Sequence, residues 1–158
     1  MIESVVNRGS TVRVRLPIRE AKNVQQTILF LCTGNSCRSQ MAEGFARQLT
    51  NGRYRIFSAG TEPKGIHPFA VRVMREIGID ISTQSSKGLD QIPLEVIDQV
   101  VTLCGEADER CPALNASVKR AHWPITDPAA ARGSEEQVLA LFRQVRDEIH
   151  KQVQALLS

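Results

Sequence analysis

The stretch that most constrains this chain is a continuous apolar run, Ile28-Leu-Phe-Leu31, that passes directly into Cys32-Thr-Gly-Asn-Ser-Cys-Arg38-Ser39 and then into helical spacing from about Ser39 to Leu49. An uninterrupted apolar strand is covered on both faces, as in a parallel sheet. Tyr54 to Phe57 and Val100 to Leu103 read as further short strands. Phe69, Val73 and Ile77 recur at helical spacing from Pro68 and stop at Gly78, a C-cap residue. Ser134 with Gln137 has the capping-box signature, followed by Val138, Phe142, Val145, Ile149, Val153 and Leu156 along one face of a long helix. Strands alternating with helices make this an α/β fold whose parallel sheet is covered on both faces.

Composition narrows the classes of function. A hydrophobic fraction of 42% and a charged fraction of 23% exclude wholesale disorder. Twenty Lys and Arg against 17 Asp and Glu leave a net charge of only +3 with no run of like charge, which argues against a nucleic-acid or membrane-surface protein. No apolar run is long enough for a membrane span or a signal-peptide core, so the expected compartment is the reducing cytoplasm. There the four cysteines, Cys32, Cys37, Cys104 and Cys111, are expected as thiols with chemistry rather than as structural bridges.

Cys32 and Arg38 stand in a Cys-x5-Arg arrangement at the turn from strand to helix. Backbone N–H groups of such a loop, from Thr33 through Ser39, can form a nest for a tetrahedral oxyanion, with the helix dipole adding positive potential. Arg38 can close the ring with a bidentate fork, and the same field favours Cys32 as a thiolate nucleophile. Gly34 is expected to supply the backbone freedom of the tight loop, and Ser39 a hydrogen bond to the Cys32 sulfur. Cys37 is expected to pack on the loop's other side without a catalytic part.

Ile28-Leu-Phe-Leu-Cys-Thr-Gly-Asn-Ser-Cys-Arg-Ser-Gln-Met-Ala-Glu-Gly44 resembles the low-molecular-weight protein tyrosine phosphatase fold family, and more closely its thioredoxin-coupled arsenate reductase branch. The resemblance continues through Ser58-Ala-Gly-Thr, Gly78-Ile-Asp-Ile-Ser82, Val100-Val-Thr-Leu-Cys104 and His122-Trp-Pro-Ile-Thr-Asp-Pro128. Gln40 stands where phosphatases of the fold usually carry Pro. The resemblance implies a single three-layer domain over residues 27–158, with a central parallel four-stranded sheet and helices on both faces. Residues 1–26 are set apart as an N-terminal extension, in which Val12, Val14 and Leu16 alternate with Arg13 and Arg15. That segment resembles the last strand of a histidine-kinase ATPase domain, and reads equally as an added edge strand or a solvated extension.

Cys104-Gly-Glu-Ala-Asp-Glu-Arg-Cys111 separates the two branches, since a phosphatase has no need of it. Reducing As(V) to As(III) takes two electrons, which two thiols can supply by becoming a disulfide. By resemblance, Cys104 resolves a Cys32–arsenate adduct and Cys111 then carries the disulfide away as Cys104–Cys111. The segment between them must rearrange to do so. A zinc site of Cys104, Cys111 and His122 is the competing reading, with wide spacing and no evident fourth ligand.

Asp127, in the Asp-Pro step after Trp123, matches the family's general acid. Ala129 follows where phosphatases usually have Tyr, which weakens a phosphotyrosine reading. Some reductases of the branch bind potassium; Asn35, Glu43 and Ser58 match three ligand positions, and Lys87 falls at the fourth. The expectation is no bound metal, with the Lys87 ammonium in the cation's place, paired with Glu43. His67 and His150 are expected to face solvent, His122 to be structural, and Arg143, Arg146 and Lys151 to form a solvated face.

The leading reading is an arsenate reductase without cofactor, with phosphate or sulfate as competing oxyanions and thioredoxin as electron donor, monomeric, and interacting with neither nucleic acid nor membrane. A phosphatase acting through a Cys32 phosphoenzyme and a non-enzymatic oxyanion or redox sensor are the alternatives.

Overall fold

A computed structural model describes residues 25–112, 114 and 116–158. The alternating Val12–Leu16 segment, and with it the kinase-like resemblance, lies outside the described residues; of the extension only Gln25 and Gln26 are described, and Gln26 already opens β1. Four strands, β1 (Gln26–Cys32), β2 (Tyr54–Gly60), β3 (Gln99–Thr102) and β4 (Lys119–His122), form one sheet in the order β2-β1-β3-β4. All three pairings are parallel, with Leu31 opposite both Ala59 and Thr102. The helices are α1 (Arg38–Thr50), α2 (Pro68–Arg75), the short α3 (Gly105–Arg110) and α4 (Glu135–Leu157).

The period-2 alternation of β1 explains its unbroken apolar sequence. Ile28, Phe30 and Cys32 face a core shared with Met41 and Phe45 of α1, Val73 of α2 and Phe142, Val145 and Ile149 of α4. Leu29 and Leu31 face a second, smaller core with Ile92, Ile97, Val100 and Ala107 of α3. Both cores are apolar, so only the ends of the strands are free for polar chemistry. At the C-terminal ends, β1 hands over to Thr33 and β3 to Leu103 and Cys104 on adjacent strands, since Leu103 N–H bonds Leu31 O at 2.9 Å. Open parallel sheets place their ligands in this crevice, where successive connections leave toward opposite faces.

The expected elements are present with small shifts at their ends. The helix from Pro68 closes at Arg75, and Gly78 (φ 84°) lets Ile79 N–H return to Met74 O at 3.0 Å. The Ser134/Gln137 capping box opens α4 as read. Strand β4 has no sequence signal: Lys-Arg-Ala-His is polar and largely exposed because it is a sheet edge. Among the described residues no helix is long and apolar enough to cross a membrane.

Three side chains are not solvated as expected. His150 stacks on Phe45 (centroids 4.4 Å apart, planes within 4°). His67 caps α2, its Nδ1 accepting from Phe69 N–H at 3.1 Å while its ring packs on Phe142. Arg146 is buried, donating to Val73 O and Glu76, and Arg143 forms a fork on the same Glu76 carboxylate. Apolar stems and rings of these residues cover the seam between α2, α1 and α4 while their polar ends find fixed partners.

Burial holds the His67 imidazole below its ordinary protonation range. A group whose proton affinity drops on folding contributes stability above its unfolded value, lost as pH falls through the folded one. Urea-unfolding stability should therefore fall as pH drops below about 6.5, and His67→Asn, which keeps an N-cap acceptor, should flatten that decline; an unchanged slope would contradict this account.

Candidate active site

The loop between β1 and α1 is held from outside by its carbonyls. Cys32, Thr33, Gly34 and Ser36 carbonyls accept from the N–H groups of Thr61, Glu62, Lys64 and His67 at 2.8–3.1 Å. Asn35 O accepts from Gln40 Nε2 at 3.0 Å, and Cys37 O from Met41 N–H at 2.9 Å. With six successive carbonyls engaged away from the loop's centre, its N–H groups are left for an anion.

Asn35 fixes the loop's shape. It adopts the left-handed region (φ 47°), which Asn tolerates better than most residues. This corrects the sequence reading: the unusual backbone lies at Asn35, and Gly34 has no such φ. The turn aims Asn35 N–H at Cys32 Sγ (3.2 Å). Its Nδ2 donates to Ser39 Oγ (2.8 Å) and Ser58 Oγ (3.0 Å), and its Oδ1 accepts from Lys87 N–H (2.8 Å) and Gln40 Nε2 (2.9 Å). Ser39 Oγ, already accepting from Asn35, is free to give its one proton to Cys32 Sγ at 2.8 Å. Both contacts stabilise a thiolate.

The loop floors a pocket of about 260 Å³ lined by Cys32, Thr33, Gly34, Ser36, Cys37, Arg38, Lys64, Glu106, Asp127 and Ala129. Of the predicted oxyanion residues, Asn35 and Ser39 do not line it; both are fully buried behind the loop. Arg38 differs from the expected free fork, because its Nη1 is bound to Leu103 O (3.2 Å) and Ile125 O (2.9 Å). Those carbonyls orient the guanidinium, and its Nη2 lies 3.6 Å from Asp127 Oδ2. Asp127 itself is fixed by Ala129 N–H on Oδ1 (3.0 Å).

All four cysteines are free thiols. Burial pushes Cys37 up to about 12, so it stays protonated beside Ser36. Cys104 is the N-cap of α3, its Sγ accepting from Ala107 N–H (3.4 Å), and it lies 3.1 Å from Thr33 Oγ1 at the pocket's edge. Cys111 is the C-cap of the same helix. Seven residues at 1.5 Å rise separate their Cα atoms by about 10 Å, well beyond the roughly 4.4–6.8 Å of a disulfide. Cys104 and Cys111 are therefore brought to one helix but not to bonding distance.

Among the described residues no three His, Cys, Asp or Glu side chains gather as a metal-holding group. His122 Nδ1 instead bonds Thr102 Oγ1 at 2.8 Å. Asn35, Ser58 and Glu43 do come together: Ser58 Oγ donates to Glu43 Oε1 at 2.5 Å, and Lys87 Nζ lies 4.0 Å from the same oxygen while donating to Ser85 O at 2.8 Å. Sequence reasoning missed Lys64 and Glu106 at the pocket wall and Gln84, whose Nε2 bonds Gln40 Oε1 at 2.7 Å. Nothing in their local pattern marks them. Gln40 was conspicuous as a departure from Pro, but its role as a tie between loop and residue 85 emerges only in three dimensions.

Residues 27–158 match the family described as low molecular weight phosphotyrosine protein phosphatase. The chain is 54% identical over 122 residues to an arsenate reductase of Bacillus subtilis, covering 77% of this chain and 88% of that protein. It is 51% identical over 129 residues to an arsenate reductase of Halalkalibacterium halodurans, covering 82% and 93%. An arsenate reductase structure in the oxidized state superposes with TM-score 0.74 at 34% identity, and one in the phosphate binding state with TM-score 0.69 at 35% identity; each covers 84% of this chain and 96% of the other.

A Cβ at Gly60 would lie 2.5 Å from Thr33 O and 2.8 Å from Asn35 N. Gly60→Ala should cost about 1–3 kcal/mol of stability and weaken phosphate binding on the order of tenfold or more by displacing the loop. Thermal stabilisation by phosphate that is unchanged in the variant would contradict the close approach as a determinant of the site.

Proposed function

The chain belongs to the low molecular weight phosphotyrosine protein phosphatase family, and we propose that within it this protein reduces arsenate to arsenite through Cys32, Cys104 and Cys111. The observation that carries the reading is Cys104, whose Sγ stands 3.1 Å from the hydroxyl of Thr33, the residue next to the nucleophile. Among the solved structures, identity is 34–35% to arsenate reductases against 21–24% to tyrosine phosphatases, which supports the same branch.

Arsenate binds in the loop with its oxygens on the inward N–H groups and on the free side of Arg38. The Cys32 thiolate attacks arsenic, and Asp127 at the pocket rim gives a proton to the departing oxygen, which leaves as water. A positioned acid contributes roughly 10²–10⁴-fold. Cys104 then attacks Cys32 Sγ. The new S–S bond forms as the S–As bond breaks, its electron pair stays on arsenic, and As(V) becomes As(III), released as arsenite. Cys104 is placed for this attack as the N-cap of α3, its Sγ accepting from Ala107 N–H, while the single proton of the Thr33 hydroxyl is given to Glu106 Oε1 at 3.2 Å. Cys111 next attacks Cys104, freeing Cys32 and leaving Cys104–Cys111. For this last exchange α3 must unwind, given the separation of its two caps.

Both electrons come from thiols, so the cycle uses no cofactor, and an external dithiol of the thioredoxin class reduces the final disulfide. Phosphate and sulfate compete for the loop. Lys87 fills the position of a cation beside Glu43. The domain acts as a monomer in the cytoplasm, its catalytic unit beginning with β1 at Gln26 and the residues before it set apart as an extension.

With thioredoxin, thioredoxin reductase and NADPH in phosphate-free buffer, arsenate should drive NADPH oxidation in the wild type and in neither Cys104→Ser nor Cys111→Ser. Cys104→Ser should keep its p-nitrophenyl phosphate hydrolysis within about twofold, since phosphoryl transfer uses only the loop and the acid. Hydrolysis without arsenate turnover in the wild type would replace this reading by a phosphatase. Rates in sodium and potassium buffers should be equal, and clear potassium activation would remove Lys87 from the cation's place.

A further inference from the structure

The anion loop is held open by six outward carbonyls, and five of them are claimed by backbone N–H groups that no side-chain substitution removes. The remaining one, Asn35 O, is held by a side chain, Gln40 Nε2 at 3.0 Å. At this point alone the shape of the cradle hangs on the identity of a residue outside the loop.

Gln40 is fully buried in the first turn of α1, and its amide can face only one way. Its Nε2 also donates to Asn35 Oδ1 (2.9 Å) and Ser85 O (3.0 Å), so three acceptors share two hydrogens. Two of the three are backbone carbonyls, which cannot donate, and a reversed amide would set oxygen against oxygen. At its other end Oε1 accepts from Gln84 Nε2 at 2.7 Å, and the same nitrogen donates to Gln40 O at 3.1 Å. Gln84 and Ser85 thus clamp Gln40, and Gln40 grips both oxygens of Asn35, the left-handed residue of the loop (φ 47°).

A trans peptide sends its C=O and its N–H in opposite directions. Asn35 O, drawn outward to Gln40, therefore turns Ser36 N–H inward, to the pocket that Ser36 lines. Without the Gln40 donor, Asn35 O is a buried acceptor lacking its partner, a penalty that turning the peptide over relieves. The turned peptide faces an anion with a carbonyl oxygen and withdraws one donor from it.

We propose that Gln40 is a positioning residue for the bound oxyanion, holding the Asn35–Ser36 peptide with its N–H toward the ligand. The inference deepens the oxyanion reading of the loop and rests on it. Inorganic phosphate is the probe, so the outcome does not depend on whether the three cysteines relay a disulfide.

The test titrates phosphate into reduced, isotope-labelled full-length wild type, Gln40→Met and Gln84→Met, followed residue by residue in amide nuclear magnetic resonance spectra. In the wild type the Ser36 amide proton should move downfield as phosphate binds. Gln40→Met keeps the side-chain length and loses the donor. It should bind phosphate about tenfold more weakly, and its Ser36 amide should lose the downfield shift while that of Gly34 keeps its own. Gln84→Met removes only the outer clamp, at a half-buried position. It should weaken binding by about threefold with a smaller Ser36 shift, and it decides the matter if Gln40→Met does not fold.

Unchanged affinity in the variants would overturn the proposal. So would weaker binding in which the Ser36 shift survives intact, or in which Gly34 and Ser36 lose their shifts together, since either is general loosening rather than a turned peptide. Wild-type protein that binds no phosphate would refute the oxyanion loop itself, and with it this role for Gln40.

Discussion

The site depends on Asn35. A single residue in the left-handed region points its N–H at Cys32 and sends its side chain outward to Ser39 of α1, Ser58 of β2 and the Lys87 backbone. These contacts are buried, so each is retained on pain of an unsatisfied polar group, a penalty of about 1–3 kcal/mol apiece. The loop is thereby rigid before any anion arrives. Preorganised donors need not reorient when charge develops, and this gives such a cradle its catalytic value.

The second constraint is topological. The order β2-β1-β3-β4 makes β1 and β3 neighbours, so the residues following them, Thr33 and Cys104, meet at one crevice despite 71 positions of separation. The oxyanion loop alone suits phosphate and arsenate equally. What can be done to the bound anion is decided at the end of β3, where a thiol stands at a helix N-terminus. Under the proposed relay the helix α3 has two duties that conflict: intact, it offers the Ala107 N–H to Cys104 Sγ; unwound, it would let Cys111 reach that sulfur. Its six residues and its exposed ion pairs, Arg110 with Glu62 and Glu106, suit an element of low local stability.

Sequence patterns reported the buried parts of this fold well. β1, α1 and α4 were readable because their apolar periodicity answers to a core, and Cys32 and Arg38 because strand-loop-helix chemistry is local; Asp127 was reached only through the family resemblance. β4 was silent because an exposed edge strand has no apolar face to display. His67, His150 and Arg146 were misread as solvated because an amphipathic side chain hides its packing stem behind a polar name. The loop's backbone freedom was assigned to Gly34 on propensity, whereas Asn35 takes the left-handed turn, held by side-chain hydrogen bonds to distant segments. Lys64 and Glu106 reach the pocket only through long-range contacts, which no spacing within the chain encodes.

The central claim is that two thiols of this chain supply the electrons that reduce the anion in the loop. It is tested most directly by mixing fully reduced protein with one equivalent of arsenate, without any external reductant, and counting thiols and arsenite. The account predicts that the four thiols fall to two for each arsenite released, with Cys104–Cys111 as the disulfide recovered by peptide mapping. Four thiols remaining, with arsenate unchanged, would contradict it.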